Sequence, residues 1–285
     1  MSTVLPGPLV STQWLADHLS APDVKILDCT WLHESSNMDG RTQYRGRHLP
    51  GSVHFDIDAV ADTGNPLPHM LPTPEDFAAM VGAMGIGDAD RIVVYDSLGL
   101  FSAPRVWWTF RVMGARDVVI LDGGLPKWRA EGRPVESGPA APRPPKTFHA
   151  RFDPDSVRNL DQARANIDAP AFQLLDARPA PRFRCEAPEP RNWVKSGRVP
   201  GSLNLPQGDL LADGRLRDQH ELEAAFARAG VDLERPVVTS CGSGVNAATL
   251  SLALDMLGAR SALYDGSWTE WGARDDVPIA TGPEH

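Results

Sequence analysis

The chain has 285 residues, of which 42% are hydrophobic and 23% charged, as is typical of a globular protein with room for two domains. A formal net charge of −9, without a lysine- and arginine-rich run, argues against a general nucleic-acid or membrane-surface binder. There is no secretory leader pattern, no apolar run that could span a bilayer and no dinucleotide fingerprint, and 3 widely spaced cysteines give neither a disulfide framework nor a zinc site. We therefore expect a cytoplasmic protein without a metal or a cofactor.

The first half of the chain alternates short apolar runs with stretches of helical period. An apolar run at Arg91–Tyr95 precedes a helical pattern over residues 103–113, and a second apolar run follows at Val118–Leu121. The pair Pro50-Gly51 marks a turn into a further strand. This alternation predicts an α/β fold, with a mainly parallel sheet flanked by helices.

A segment rich in proline, alanine and glycine follows at residues 132–145, and beyond it the pattern begins again. Five short segments of the two halves match in the same order. The matched pairs are 26–28 with 174–176, 47–53 with 197–203, 93–95 with 237–239, 113–116 with 257–260, and 121–124 with 264–267. We predict a tandem repeat, with an N-terminal domain over residues 1–135, a semi-stiff linker over 136–150 and a C-terminal domain over 151–285.

The second copy carries a cysteine directly after a predicted buried strand. Val237–Ser240 reads as the strand, residues 241–246 (Cys-Gly-Ser-Gly-Val-Asn, the cysteine loop) as a loop, and residues 247–254 as a helix. The N–H groups of this loop and the positive end of the helix would stabilise a thiolate at Cys241. The alternative is an ordinary strand-to-helix turn with a buried, inert cysteine. Because Ser97 stands at the equivalent position of the first copy, any chemistry belongs to the second.

The repeat and the cysteine loop together make the chain resemble the two-domain rhodanese family over nearly its whole length. The other segments that carry the resemblance are 13–15, 47–51, 68–72, 101–108, 122–125 and 264–268. The resemblance implies that Cys241 removes sulfur from a donor and carries it as a persulfide, and that a small thiol, thioredoxin or cyanide collects it. The remaining backbone of the binding loop would come from Gly242, Gly244, Val245 and Asn246. Asn246 replaces the family's usual threonine, and both residue types can cap a helix start.

The resemblance also bears on the donor. The thiosulfate branch of the family has cationic side chains where this chain has Gly242 and Ser243, which favours 3-mercaptopyruvate, with release of pyruvate, over thiosulfate. The family's motifs place Arg182 and Arg191 at the carboxylate and ketone of that donor, which a guanidinium fork suits. Without the resemblance, the two arginines would be interpreted as a solvated surface pair.

A proton relay of Asp58, His69 and Ser243 is a further implication of the resemblance. In such a relay a carboxylate orients a histidine that exchanges a proton with the serine. Asp58 and His69 lie in the first copy and Ser243 in the second, so both copies would contribute. The alternative for His69 is a structural residue that bonds a loop carbonyl.

Competing interpretations remain open. A cysteine phosphatase needs an arginine six residues after the cysteine, where this chain has Ala247. Thiosulfate sulfur transfer is the closer alternative, and a non-enzymatic scaffold would be expected to lack the cysteine in both copies. Cys29 reads as a core residue, and Cys185 is considered as a redox partner of Cys241. We expect a monomer or a weak dimer.

Overall fold

The computed structural model describes residues 7–33 and 36–282, and the chain divides into two compact units. The first unit comprises Met1–Gly64, Leu71–Asp153 and Asp213–Arg215. The second unit comprises Asn65–Met70, Pro154–Ala212 and Leu216–His285. Each unit has its own sheet and its own hydrophobic core.

Five parallel strands form the sheet of the first unit. They are β1 (Leu9–Val10), β2 (Val24–Asp28), β3 (Val53–His54), β4 (Arg91–Tyr95) and β5 (Val118–Leu121), in the order β1-β5-β4-β2-β3. The helices are α1 (Thr12–His18), α2 (Gly40–Gly46), α3 (Pro74–Ala83), α4 (Ala103–Val112) and α5 (Gly124–Ala130). The central strand β4 is buried from Ile92 to Tyr95, because a parallel sheet has both faces covered and its strands read as continuous apolar runs.

The second unit repeats this plan. Its strands are β6 (Val157–Arg158), β7 (Gln173–Asp176), β8 (Leu203–Asn204), β11 (Val237–Ser240) and β12 (Ser261–Tyr264). A separate two-stranded sheet pairs β9 (Leu211–Ala212) with β10 (Arg215–Leu216), whose Arg215 is assigned to the first unit. The helices of the second unit are α6 (Leu160–Asp168), α7 (Ala180–Phe183), α8 (Gln219–Arg228), α9 (Ala247–Met256) and α10 (Ser267–Trp271). The parallel sheet has the order β6-β12-β11-β7-β8. No helix in the described part of the chain is long and apolar enough to cross a membrane.

The two sheets match strand for strand and in register. β2 pairs with β3 so that Asp28 lies opposite His54, and β7 pairs with β8 so that Asp176 lies opposite Asn204. The segments matched in the sequence, such as 26–28 with 174–176, occupy equivalent strands. The predicted architecture, two tandem α/β domains with mainly parallel sheets and flanking helices, is confirmed.

The proline-rich stretch expected to be a linker runs along the first unit. Glu136 and His48 exchange two backbone hydrogen bonds of 2.9 Å. Further along, the N–H of Lys146 donates to the carbonyl of Gly82, and its ammonium group donates to the carboxylate of Asp90. The first unit therefore extends to Asp153.

Candidate active site

Cys241 follows β11 directly, at the carboxyl end of the second unit's sheet. The strand β11 pairs in parallel with β7 on one side and β12 on the other, and its four residues are buried. Cys241 is itself only 3% exposed, and its thiol is free. Because α/β sheets bind ligands at the carboxyl ends of their strands, a reduced thiol stands where a ligand site is expected.

Two carbonyl groups of the cysteine loop are held by α10. The carbonyl of Cys241 accepts a 2.9 Å hydrogen bond from the N–H of Trp268. The carbonyl of Gly242 accepts from both the N–H and the hydroxyl of Thr269, at 2.8 and 2.6 Å. The N–H of Cys241 donates to the hydroxyl oxygen of Ser267 at 3.3 Å. These bonds fix the orientation of the first two peptide groups of the loop.

The N–H groups that follow Cys241 have no protein acceptor. Within the described chain, none of the backbone N–H groups of residues 242–246 donates a hydrogen bond. Gly244 has φ of +78°, a left-handed conformation that glycine adopts without strain and that lets the loop turn. A run of unpaired N–H groups that ends at a helix N-terminus is an arrangement that binds anions.

Asn246 occupies the position before α9, but its side chain makes no capping hydrogen bond. Its backbone is already helical, with φ of −69° and ψ of −26°, whereas a capping residue usually has an extended backbone. Asparagine is a residue type that can cap a helix, but Asn246 does not cap α9. The first N–H groups of α9 donate no hydrogen bond to this side chain.

In the first unit the equivalent loop is closed by a carboxylate of the chain itself. Asp96 follows β4, is 1% exposed, and accepts four backbone hydrogen bonds. Its Oδ1 accepts from Leu98 at 2.9 Å, and its Oδ2 accepts from Phe101, Ser102 and Ala103 at 2.7, 2.9 and 2.9 Å. Charge-assisted bonds to a helix N-terminus stabilise this carboxylate.

The register of the two sheets places Cys241 of the second unit where the first has Asp96, and Ser240 where the first has Tyr95. The N–H of Leu125 donates to the carbonyl of Asp96 as the N–H of Trp268 does to that of Cys241, so the sequence-based pairing of Cys241 with Ser97 is wrong. The thiol of Cys241 thus stands in the place of the Asp96 carboxylate. Any anion that pairs with the N–H groups of residues 242–246 has to be the sulfur of Cys241 or a ligand. This comparison identifies the cysteine loop as the candidate site.

Arg182 lies beside the cysteine loop. It belongs to α7, and its Nη2 would stand 3.4 Å from a Cβ built on Gly242. Its side chain is 23% exposed, and its Nε and Nη2 donate to the two carboxylate oxygens of Glu189. Because Gly242 has no side chain, the guanidinium has room next to the loop.

Arg191 follows Glu189 by two residues, in the irregular segment between α7 and β8. The residue is half-buried, and its carbonyl accepts a 3.1 Å bond from the N–H of Val194. Its guanidinium forms no hydrogen bond or ion pair with any described residue. The charge of Arg191 is therefore not neutralised by a described carboxylate, in contrast to that of Arg182.

The three predicted relay residues fall in different parts of the chain. Asp58 belongs to the first unit, is exposed, and accepts a 2.9 Å hydrogen bond from the indole of Trp31. His69 and Ser243 belong to the second unit, and both are buried. The Ser243 hydroxyl makes no hydrogen bond with a described residue. The relay stays a prediction, since such bonds often tighten only when substrate is bound.

His69 has a backbone feature that the sequence does not reveal. Its backbone φ is +62°, in the left-handed region that residues other than glycine rarely adopt. Such strain persists only where the surroundings enforce it, and it is concentrated at functional sites.

The sequence also gave no reason to expect a buried ion-pair network next to Arg182. Arg178 is 1% exposed and binds both Asp176 and Glu189, which in turn binds Arg182. The available signal was the pair Asp176 and Arg178 at the end of a strand, followed by an acidic residue between the two predicted donor-binding arginines.

The other two cysteines differ sharply. Cys29 is fully buried, and burial raises the pKa of its thiol well above the ordinary value, as suits a core residue. Cys185 is exposed and has φ of +67°. Its suggested redox role stays a hypothesis. No group of three or more histidine, cysteine or acidic side chains that could hold a metal occurs in the described ranges.

The described chain thus consists of two repeated α/β units, and the second carries a free cysteine in a loop whose N–H groups have no acceptor. The model of the rhodanese-like domain matches residues 11–131 and again residues 159–274, and the chain belongs to this family. The resemblance found in the sequence is thereby confirmed.

Known relatives cover nearly the whole chain. A 3-mercaptopyruvate sulfurtransferase of Escherichia coli K12 is 41% identical over 274 residues, which are 95% of this chain and 96% of the relative. A thiosulfate sulfurtransferase of Cricetulus griseus is 40% identical over 277 residues, which are 94% and 93%. The crystal structure of the 3-mercaptopyruvate sulfotransferase SseA from Escherichia coli matches with a TM-score of 0.84 and 39% identity, over 92% of this chain and 99% of that one.

Proposed function

We propose that the protein is a sulfurtransferase that moves sulfur from 3-mercaptopyruvate to an acceptor through a persulfide on Cys241. The observation that carries this proposal is the row of unpaired N–H groups at residues 242–246, next to a buried free thiol. Relatives named for this activity match over the full length. Backbone N–H groups in this arrangement stabilise both a thiolate and the outer sulfur of a persulfide.

The reaction is a double displacement. The thiolate of Cys241 attacks the sulfur of 3-mercaptopyruvate, an S–S bond forms, and the C–S bond breaks with its electron pair left on carbon. The resulting enolate takes one proton and leaves as pyruvate. An acceptor thiolate or cyanide then attacks the outer sulfur, carries it away, and restores the thiolate of Cys241.

Arg182 and Arg191 are the proposed binding groups for the carboxylate and ketone of the donor. A guanidinium fork matches a carboxylate with two parallel hydrogen bonds. Support comes from the position of Arg182 beside Gly242 and from the guanidinium of Arg191, which no described carboxylate neutralises. The cysteine loop contains no cationic side chain, which favours this donor over thiosulfate. Thiosulfate remains the second candidate because a relative that is 40% identical bears that name.

The relay of Asp58, His69 and Ser243 is part of the same proposal. Its role would be to deliver the proton that the pyruvate enolate needs, or to take it from the donor thiol. The buried, left-handed backbone of His69 supports a functional rather than a purely structural residue.

We also propose thioredoxin or a small thiol as the physiological acceptor, and a cytoplasmic protein that is a monomer or a weak dimer. The three cysteines are free thiols, which suits a reducing compartment. Cyanide would serve as an acceptor in the test tube.

The decisive measurement is kcat/KM for 3-mercaptopyruvate and for thiosulfate, each with thioredoxin and with cyanide as acceptor. Cys241→Ser is expected to abolish pyruvate release and the mass increase of one sulfur atom that the donor produces on the wild type. The matched control is Cys185→Ser, which removes an exposed thiol and should leave both readouts unchanged. Substantial turnover by Cys241→Ser would overturn the mechanism, and a higher kcat/KM for thiosulfate would select the second candidate.

A further inference from the structure

The geometry points to Glu189 as the positioning residue that sets the orientation of Arg182 and so controls binding of the donor. This inference rests on the proposed function, in which Arg182 binds the donor carboxylate. Glu189 itself points its carboxylate at arginines rather than at the cysteine loop, so it acts through Arg182.

The inner end of this arrangement is rigid. Asp176 is the last residue of β7, and both of its carboxylate oxygens accept from Arg178, with contacts of 3.2, 2.9 and 2.7 Å. Arg178 also donates to the carbonyl of Gly197 at 2.8 Å, and its guanidinium lies over the ring of Trp268 at 4.4 Å. With 1% exposure and all these contacts, Arg178 has a single position.

Glu189 connects this fixed arginine to Arg182. Its side chain is 4% exposed, and its Oε1 accepts from Arg178 at 2.8 Å and from the Nε of Arg182 at 3.3 Å. Its Oε2 accepts from the Nη2 of Arg182. One carboxylate therefore binds two guanidinium groups, one buried and one 23% exposed.

The way in which Arg182 is held matters for its chemistry. Glu189 binds the Nε–Nη2 edge of the guanidinium, which leaves Nη1 and the second N–H of Nη2 without a partner among the described residues. These are the two donors that a planar carboxylate needs for a second, parallel pair of hydrogen bonds. Glu189 thus selects which edge of Arg182 is available and keeps it from rotating.

Glutamine at position 189 could not serve both arginines. It keeps the length of the side chain, but one of its two acceptor oxygens becomes an N–H₂ group that faces a donor. Because Arg178 keeps its bonds to Asp176, we expect the fixed end to survive and the hold on Arg182 to weaken. The donor should then bind less tightly, while the step at Cys241 is unchanged once the donor is bound.

The test is a double-mutant cycle with Glu189→Gln, Arg182→Ala and the double variant, with KM and kcat measured for 3-mercaptopyruvate. We expect Glu189→Gln to raise KM at least about fivefold with kcat within about twofold, because a positioning group acts on binding. In the Arg182→Ala background the same substitution should change KM less than about twofold, because the residue through which it acts is gone.

Two control variants distinguish an effect of Glu189 on the orientation of Arg182 from an effect on the stability of the fold. Glu186→Gln is the matched control, because Glu186 lies in the same segment and pairs with Arg184, but is exposed. It should leave KM unchanged. Should Glu189→Gln fold poorly, Glu189→Asp keeps the negative charge between the two arginines and shortens the side chain by one methylene, and the same pattern is expected at smaller amplitude.

An unchanged or lower KM in Glu189→Gln overturns the inference. So does an equal rise of KM in the wild-type and Arg182→Ala backgrounds, since Glu189 would then act on the fold through Arg178. The proposed function has its own readout, the sulfur loaded on Cys241 of the wild type by 3-mercaptopyruvate. Loading without a Glu189 effect rejects only the positioning role.

Discussion

The thiol of Cys241 is nearly enclosed, and this limits what can react with it. The residue is 3% exposed, and the hydrogen bonds of α10 fix the backbone on either side of its carbonyl. A small donor whose far end is bound elsewhere can present its sulfur to such a thiol, whereas a bulky one cannot. The two proposed arginines supply that binding.

Alanine at position 182 or 191 is expected to raise the KM for 3-mercaptopyruvate by at least about tenfold, because a hydrogen bond to a charged group contributes about 1.5–3 kcal/mol. Initial rates over a range of donor concentrations measure this. Arg184→Ala is the control, since this arginine lies in the same segment and pairs with the exposed Glu186. If KM stays the same in both Arg182→Ala and Arg191→Ala, the donor binds at other residues.

The loops before α4 and α9 are the same structural element with different anions. In the first, the carboxylate of Asp96 accepts the N–H groups of the loop and of the helix start. In the second, the N–H groups of residues 242–246 have no acceptor in the described chain, and they are the proposed binding groups for the sulfur on Cys241. A single difference at the residue that follows the strand, Asp96 in the first unit against Cys241 in the second, accounts for this.

Asp96→Ala should destabilise the protein by at least about 3 kcal/mol, because four N–H groups lose their acceptor and each unsatisfied buried donor costs about 1–3 kcal/mol. Urea unfolding followed by circular dichroism measures the change. Ser97→Ala is the matched control: the Ser97 hydroxyl is buried without a hydrogen-bond partner among the described residues, so its removal should be neutral or stabilising. A loss below about 1 kcal/mol in Asp96→Ala would contradict the structural role of the carboxylate.

At the scale of the whole molecule, stability in acid should depend on Glu131. Its carboxylate accepts hydrogen bonds from Lys127, Thr12 and Arg133, and these lower its pKa from the ordinary 4.5 to about 2, with Lys127 the largest cause. Because the native pKa is depressed, the unfolded chain binds this proton more readily. The stabilisation is therefore present above pH 4.5 and is lost as the pH falls towards about 2.

We expect Glu131→Gln to lower Tm at neutral pH, and the difference from the wild type to shrink as the pH approaches 2. Thermal unfolding over a pH series gives this comparison. Glu234→Gln is the control, since that side chain is exposed and forms no hydrogen bond in the described part of the chain. A difference that persists unchanged in acid would mean that Glu131 acts through packing rather than through its charge.

The sequence predicts most of the architecture, because apolar runs, helical periods and repeated turn residues are local patterns. The strand at Val237–Ser240 and the loop after it are examples. The site is predicted less completely, since its geometry depends on hydrogen bonds that pattern does not encode. Neither the left-handed backbone of His69 nor the failure of Asn246 to cap α9 could be read from residue type.

The buried ion-pair network around Glu189 could not be predicted from the sequence for a related reason. An acidic residue between arginines is ordinarily a solvated surface group, and only its 4% exposure distinguishes Glu189. Glu189 binds Arg178 and Arg182, and the sequence spacing of these three residues does not show that their side chains meet.

In the first unit, the carboxylate of Asp96 permanently occupies the N–H groups that would otherwise be available to an anion. The carboxylate has the charge and the hydrogen-bonding needs of the species that the second loop is built to hold, and it never leaves. In a duplicated chain, an acidic residue at the position of the cysteine removes the thiol from one copy, while its carboxylate stabilises the fold of that copy. The loss of the thiol and the gain in stability then result from the same residue, so a copy without a reactive cysteine still keeps the fold.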